Sequence, residues 1–518
     1  MSEEKHTLVG FILRRIGVSV LILVAASFVM FNLVALSTDP LEDLRTSILP
    51  NKEQLIQARI QIGNLDVPPP LRWFIWIGGA AKCLVPFAGQ CSLGQTFQGA
   101  QVTDLLPTAM LSTVQMVTAA LILAILFGIA TGILSAIREN SGFDITFTVI
   151  SLFLYSLPSF LAATMLKSFV AIGYNNFLAS PEVPIWLSIV IGLVLALIIQ
   201  AVVGGEMRRR LITTASAFVV SAGLLIYMSA TDWFAQPAIG PVGIIVLSLG
   251  IAAAVAAILA GIYNRRGLIT AGIVAVIGIA SYFAVQPLLD VSTIGTIAIL
   301  AIAALVVGAL VGFLVGGDDR GQNIRIGILV AFFIGFLIII DRLMQSFPGY
   351  MFDMNGRPIA TVGSSTPGYD PGNMWRSALD TFFHLLLPTV SLLTISFAGY
   401  TRYARAGMIE VLGQDYVRTA RAKGMPERVV VVRHAFRNVL IPITTLVATD
   451  LGALLGGAII TEYIFGIPGM GALFQNSLGR GDVYPVMGYF LVIAFMAILF
   501  NFLADLSYAA LDPRVRVR

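Results

Sequence analysis

Gly413-Gln-Asp-Tyr-Val-Arg-Thr-Ala-Arg-Ala-Lys-Gly424 stands between two long apolar stretches, 378–404 and 436–460, and runs on into a basic segment ending at Ile441-Pro442. Charge, small residues and helical spacing occur together here as nowhere else in the chain. On a helix over 414–423, Tyr416, Thr419, Ala420 and Lys423 fall at i, i+3, i+4 and i+7 on one face, and Asp415, Arg418 and Ala422 lie around another. Gly424 ends this helix, and Pro426 opens the next at a position proline tolerates. A second helix over 427–437 brings Val430, Val431, His434 and Ala435 together. Small residues permit close approach to a protein groove, and flanking arginines orient a partner through its carboxylates. From spacing alone a second reading stands beside this one: a basic turn lying on anionic headgroups.

The flanking stretches belong to a pattern that covers the chain. Of 518 residues 57% are hydrophobic and 12% charged, and the mean hydropathy is +0.89. That composition lies outside the soluble globular range. Apolar runs of about 20 residues, the length that carries a helix across the hydrocarbon core, recur at roughly 14–36, 108–137, 144–170, 185–205, 211–230, 239–262, 268–288, 293–316, 324–343, 378–404, 436–460 and 485–510. Alternating ten-residue strands are absent, so the fold class is all-α and polytopic, with about twelve spans, rather than a barrel. The first run is too long for a signal-peptide core and lacks a small-residue cleavage site, so it reads as a retained span.

An N-terminus inside the cell places Lys5, Arg14, Arg15, Arg138, Arg208-Arg209-Arg210, Arg265-Arg266, Arg320, Arg325, the 402–437 cluster, Arg514, Arg516 and Arg518 in the cytoplasm. That is most of the 32 lysines and arginines, although the outer loops are longer. Both termini are then cytoplasmic. Because the basic residues sit between spans, topology explains the net charge of +4 and no nucleic-acid partner is implied. Two outer segments are long. Residues 37–106 read as amphipathic helix followed by a stiff break at Pro68-Pro69-Pro70, and 345–376 read as loop. Cys83 and Cys91 share the first of these, as a disulfide or as two free thiols.

Between 184 and 345 the spans are rich in Ala, Ile, Val and Gly, nearly free of charge, and joined by very short loops. Six spans leave and return on the same side, as an insertion into a six-span core must. The expected divisions are therefore 1–183, a first part of the core with the outer loop 37–106; 184–345, an inserted block; and 346–518, the remainder of the core with a cytoplasmic loop at 405–440.

Catalytic signatures are missing. No Gly-Lys pair precedes Ser or Thr as a Walker A loop requires. His6, His384 and His434 offer no metal spacing, and no Gly-x-Ser-x-Gly elbow occurs. The expectation is a transport subunit, not an enzyme, with no metal site and no cofactor of its own.

The stretch from Asp415 to Gly424 resembles the EAA loop of ABC-importer permeases, in the variant found in B-type subunits of the oligopeptide/dipeptide permease family. Arg418 stands where the general pattern has its leading glutamate, and Thr419 where it has its first alanine, which favours the peptide branch. Ser92-Leu93-Gly94, Pro107, Thr113, Ser156-Leu157-Pro158-Ser159-Phe160, His384 to Pro388, Leu451 to Gly457, Glu462 to Phe465, Pro468-Gly469-Met470-Gly471, Asp482 to Pro485 and Asp505 through Arg514 extend the resemblance outside 185–345. It implies a six-helix type I ABC-importer permease core carrying about six extra helices, in a bacterial cytoplasmic (inner) membrane. It further implies a second homologous (C-type) permease, two ABC ATPase subunits that bind ATP and Mg, an extracytoplasmic solute-binding protein and surrounding lipid. Asp415, Tyr416, Arg418, Thr419, Ala420, Arg421, Ala422, Lys423 and Gly424 would couple to the ATPase. Of these, Ala420, Ala422 and Gly424 would be close-contact positions, and Arg418, Arg421 and Lys423 polar grips. The family includes importers of oligopeptides, dipeptides, nickel, glutathione and haem; a stand-alone secondary transporter or channel is the reading from another class.

Single residues add expectations. Asp450, mid-span, either lines the translocation path or bonds a neighbouring helix. Glu462 and Asp482 flank an outer Gly/Pro-rich turn and either meet a binding protein or are solvated. Lys167 is expected to snorkel. Gly452 and Gly456 suit tight helix packing, and Pro158 and Pro388 suit kinks.

Overall fold

The computed structural model describes residues 8–83 and 90–511. Lys5, His6, Asp512 and the arginines at 514, 516 and 518 lie outside the described residues. Within them the regular structure is helical, apart from one isolated bridge between Gln95 and Gln101. Ten helices are long and apolar enough to cross a membrane, and two bent pairs bring the number to as many as twelve. Most expected spans appear with shifted ends. The 144–170 span does not run straight: it breaks between Ser156 and Ser159 with a bend of 101°, because Pro158 cannot donate into the ladder and holds Leu157 extended (ψ 122°). Pro388, in contrast, sits inside the unbroken helix Met374–Leu412.

The chain forms two compact units. One comprises Met1–Ser168, Thr361–Ser364 and Leu385–Arg518; the other comprises Phe169–Ala360 and Ser365–His384. Packing thus divides the chain at 168 and 384, where composition suggests 183 and 345.

In the first unit, the helix Val102–Ile137 carries small residues every fourth position: Ala120, Ala124, Gly128, Gly132 and Ala136. A Cβ on Gly128 would come within 2.7 Å of the Tyr400 Cβ, and one on Gly132 would meet the Ala404 Cβ at 2.7 Å. The stripe exists because the Met374–Leu412 helix passes at backbone distance. A larger apolar cluster joins Phe31 and Val34 of Leu8–Ser37 to Trp73, Trp76, Val102, Leu106, Met470 and Met487. The region 37–83 holds three helices, Glu42–Arg45, Lys52–Gly63 and Pro69–Ala81. Pro69 and Pro70, expected as a break, occupy the first positions of the third. Cys83 and Cys91 are joined by a disulfide, with Cα atoms 4.5 Å apart.

The second unit contains Ile185–Val203, Met207–Ala230, Gly240–Ala260, Arg265–Asp290, Ile294–Val315 and Arg320–Asp353. Gly308 and Gly312 meet Gly327 and Asn323 backbone to backbone, so no side chain separates the last two helices. The fully buried Asp341 accepts from the amides of Ile239 (2.7 Å) and Gly240 (3.1 Å), the Tyr282 hydroxyl (2.9 Å) and Gln345 (2.6 Å). One carboxylate oxygen closes the start of the Gly240–Ala260 helix, and the other takes the Tyr282 hydroxyl and the Gln345 amide. Residues outside the expected block join this unit through specific contacts. The Asn175 side chain both donates to the Ile359 carbonyl (2.8 Å) and accepts from its amide (3.1 Å), Phe383 stacks on Tyr350 at 5.7 Å, and Trp375 donates to the Leu289 carbonyl (2.7 Å).

Candidate functional site

The run at 413–424 folds as a short helix, Asp415–Ala422, closed by a left-handed turn. Gly424 has φ +73°; its amide donates to Arg421 (2.9 Å), and the amide of Met425 reaches back to Ala420 (3.4 Å). These two bonds are those of a Schellman closure, and the left-handed position explains the glycine. Pro426 then caps a turn, Glu427–Val429, that passes without interruption into a π-helical stretch, Val430–Phe436, and on into Arg437–Gly457. The expected separate helix over 427–437 is therefore the bent first part of the following span. π-helical insertions of this kind widen one turn and redirect the side chains that follow.

Which face is free differs from the expectation. Val417 and Ala420 turn inward and pack with Val430, so Ala420 is an anchor of the loop, not an open contact position. Spacing put Tyr416, Thr419 and Ala420 on one face, but the two larger, polar residues of that set stay outside while the flanking Val417 takes the buried place. Tyr416, Arg418, Thr419, Arg421, Ala422, Lys423 and Gly424 are exposed, as is Asp415. Two side-chain links brace the exposed surface. Arg421 donates to both carboxylate oxygens of Glu427 (2.7 and 3.2 Å) across the Gly424 turn, which holds its guanidinium in the charged form. Asn438 donates to the Tyr416 hydroxyl at 2.6 Å. Arg421 thus braces the turn within the chain, while Arg418 and Lys423 are exposed on the same run; Arg418 has only a 3.9 Å approach to Asp415.

Spacing did not reveal what anchors the platform beneath. Val431, Ala435, Val439 and Ile443 pack with Ala136, Ala404 and Met408. Beside them the buried carboxylate of Asp144 receives Arg405 bidentately (2.7 and 2.9 Å), the amide of Asn140 (3.0 Å) and the hydroxyl of Ser135. Such fork-to-fork pairs add geometry as well as energy. Arg402 lies 3.6 Å from the ring centre of Tyr155. One sequence signal was available: Ser141 three residues before Asp144 is a helix-start pattern, and Ser141 does accept from the Asp144 amide.

The other candidates lie elsewhere. Asp450 is half-buried on Arg437–Gly457, next to the hydroxyl of the buried Tyr400. Gly452 packs on Ala497, where an added Cβ would sit 3.4 Å from the backbone; the side-chain surroundings of 453–457 are outside the described residues. Lys167 does not snorkel: its ammonium donates to the Ile464 carbonyl at 2.7 Å, capping the helix Ile459–Phe465.

Glu462 and Asp482 do not present carboxylates outward. Glu462 is 0% exposed. It accepts from the Thr113 hydroxyl (2.6 Å) and the Ala472 amide (2.9 Å), while Thr113 in turn accepts from the Met470 amide (2.8 Å). Gly469 and Gly471 lie against the carboxylate, and a Cβ on Gly471 would fall 2.6 Å from the Ile459 backbone. Asp482 is buried and accepts from the Phe97 amide at 2.9 Å. Burial pushes its carboxyl up to about 6, against the opposing pull of Phe97 N–H, Arg59 and Arg480. Both acids are internal struts, because the charge that a turn sequence suggests is solvated here finds donors from distant segments instead.

Residues 124–517 match the family described as "Binding-protein-dependent transport system inner membrane component". Among curated proteins, the dipeptide transport system permease protein DppB of Escherichia coli is 45% identical over 138 residues, 27% of this chain and 41% of that protein. The oligopeptide transport system permease protein AppB of Bacillus subtilis is 39% identical over 150 residues, 29% of this chain and 48% of its own length. OppB of Mycobacterium bovis, an oligopeptide transport system permease protein, is 40% identical over 156 residues, 30% and 48% of the two chains. In these alignments the chain spans somewhat under half the length of each relative.

Proposed function

Since the chain belongs to the binding-protein-dependent transport system inner membrane component family, we propose that it is a multi-pass permease subunit of an ABC importer for oligopeptides or dipeptides. The observation that carries the reading is the partition of the Asp415–Ala422 helix. Val417 and Ala420 lock it to the chain, while Arg418, Ala422, Lys423 and Gly424 face outward between two spans.

In this reading the partners are a second, C-type permease, two ATPase subunits that bind ATP and Mg, and an extracytoplasmic solute-binding protein. The termini and the 405–440 loop are cytoplasmic. An ATPase cleft grips the outward face; closure of the ATPases drags the helix, and the Glu427–Gly457 segment, bent by 44° near Pro442, carries the displacement into the membrane. The Asp144–Arg405 pair transmits the same motion to the Val102–Ile137 and Gly142–Ser156 helices. Asp450 beside Tyr400 is the candidate path-lining group. Substrate choice between peptides and nickel, haem or glutathione rests with the binding protein.

Co-expression with the neighbouring ATPase genes, affinity capture and reconstitution test the proposal. ATPase co-purifies with the wild-type chain and uptake of a labelled dipeptide requires ATP; Arg418→Glu together with Lys423→Glu abolishes capture while the chain stays folded. Uptake by the purified chain without ATP, or capture unaffected by the double reversal, overturns it.

A further inference from the structure

The helix Pro69–Ala81 is apolar on both faces. Trp73, Trp76 and Ala80 are buried against the first span, and Leu71, Phe74, Ile75 and Gly78, at i, i+3, i+4 and i+7, form an opposite face that is open. Leu71, Phe74 and Ile75 are 58%, 60% and 55% exposed. A helix that is hydrophobic all round is surrounded by apolar matter, and what surrounds this one follows from its depth.

Arg14 and Arg15 set one end of the apolar part of Leu8–Ser37, which then runs to Leu36. The opposite boundary is fixed independently: Gly481, just before the span that starts at Val483, lies beside Thr38 and Pro40. Trp73 donates to Ser27 Oγ at 3.2 Å and meets the Phe28 ring edge-on at 5.1 Å. Ser27 is ten residues below Ser37, about 15 Å along a helix, and half the hydrocarbon thickness is also about 15 Å. Trp76 packs on Phe31, at 6.2 Å between ring centres, one turn nearer the end. The helix therefore lies alongside a span inside the hydrocarbon layer, and its open face continues the lipid-facing side of that span, where Val29 and Leu33 are also exposed.

The helix start is built for this setting. A helix N-terminus leaves orphan N–H groups that hydrocarbon cannot satisfy. Pro68, Pro69 and Pro70 have none to leave, and the next two amides, Leu71 and Arg72, both donate to the Pro68 carbonyl at 3.0 Å. Arg72 is turned into the protein, where it donates to the Gly63 carbonyl (3.4 Å).

We propose that Pro69–Ala81 is a re-entrant helix seated in the membrane leaflet on the Ser37 side, with Leu71, Phe74, Ile75 and Gly78 in contact with lipid acyl chains. The inference rests on the spans alone and stands whether or not the chain serves an importer.

The test uses the full chain in liposomes of phosphatidylethanolamine and phosphatidylglycerol. Phe74→Cys and Ile75→Cys are nitroxide-labelled, with the native cysteines held in their disulfide, and collision with oxygen is compared with collision with a nickel chelate. Leu21→Cys, exposed on the apolar part of the first span, is the lipid reference, and Ile48→Cys, fully exposed outside it, is the water reference. The oxygen-to-chelate ratio at 74 and 75 matches Leu21 and exceeds Ile48 about fivefold or more, since oxygen concentrates in hydrocarbon and the chelate is excluded. Chelate accessibility like that of Ile48 overturns the proposal, and so does shielding from both reagents, which would mean that protein covers the face. The unsubstituted chain gives a second readout free of folding defects. Photolysis with a phospholipid bearing a diazirine on its acyl chain labels the tryptic peptide 73–82; labelling confined to spans overturns the assignment.

Discussion

The segments 413–437 and 459–482 look alike in sequence: each is a short helix and a Gly/Pro turn next to a span, with scattered charge. Their charges have opposite fates. In the first segment Arg418 and Lys423 are exposed and the apolar residues Val417 and Ala420 do the anchoring. In the second, Glu462 and Asp482 are the anchors, each buried on donors from elsewhere. A charge on a membrane-protein turn marks a surface only if no distant donor claims it. Substitutions in the first segment should change coupling with little effect on stability; substitutions of the buried acids in the second should change folding stability.

The largest effect is expected at Glu462. Glu462→Ala leaves the Thr113 hydroxyl and the Ala472 amide without their acceptor at a fully buried site, at a cost of about 3 kcal/mol or more. Thermal unfolding in detergent reads this as a large drop in Tm, with Glu462→Gln intermediate; an unchanged Tm would break the comparison. Asp482 follows, with a pH signature. Its folded carboxyl, at about 6, lies above its ordinary 3.8, so ionisation opposes folding: its contribution is full below about pH 4 and is lost as pH rises through 6. Asp482→Asn is therefore expected to stabilise the chain by about 3 kcal/mol at pH 8 and to make no difference at pH 4. Stabilisation that does not vary with pH would remove burial of the charge as the cause.

In the first segment the stability effects are smaller. Gly424→Ala forces a Cβ into the left-handed region, where nothing else is in its way, for about 1 kcal/mol; Gly471→Ala, which meets the Ile459 backbone, costs more. Comparing their unfolding midpoints separates conformational strain from steric collision. Arg418→Ala and Lys423→Ala should leave stability within about 0.5 kcal/mol while lowering ATP-dependent uptake several-fold. A parallel loss of Tm would place them among the structural residues instead.

Much was legible locally. The runs of apolar residues gave the spans, and Gly424 and Pro426 gave the turn between two helices, because span length and turn chemistry depend on residues close in sequence. Pro158 marked a break for the same reason. The inward face of the 415–422 helix was misjudged because four candidate positions share one stripe, and only the position of Val430 selects Val417 and Ala420. Asp144 was missed because its meaning lies in Arg405, and the division of the chain at 168 and 384 depends on contacts such as Asn175 with Ile359.

The sequence by itself determined an all-helical membrane protein, its turns, and the resemblance that the family match makes firm. Only the tertiary structure decided which charges are surface and which are struts, and that the Pro69–Ala81 helix packs along the first span. Hydropathy and turn preference are properties of a short window, whereas the burial of Glu462 depends on Thr113, 349 residues away. Whether a carboxylate in a low-dielectric interior is tolerated is settled by the donors the fold brings to it.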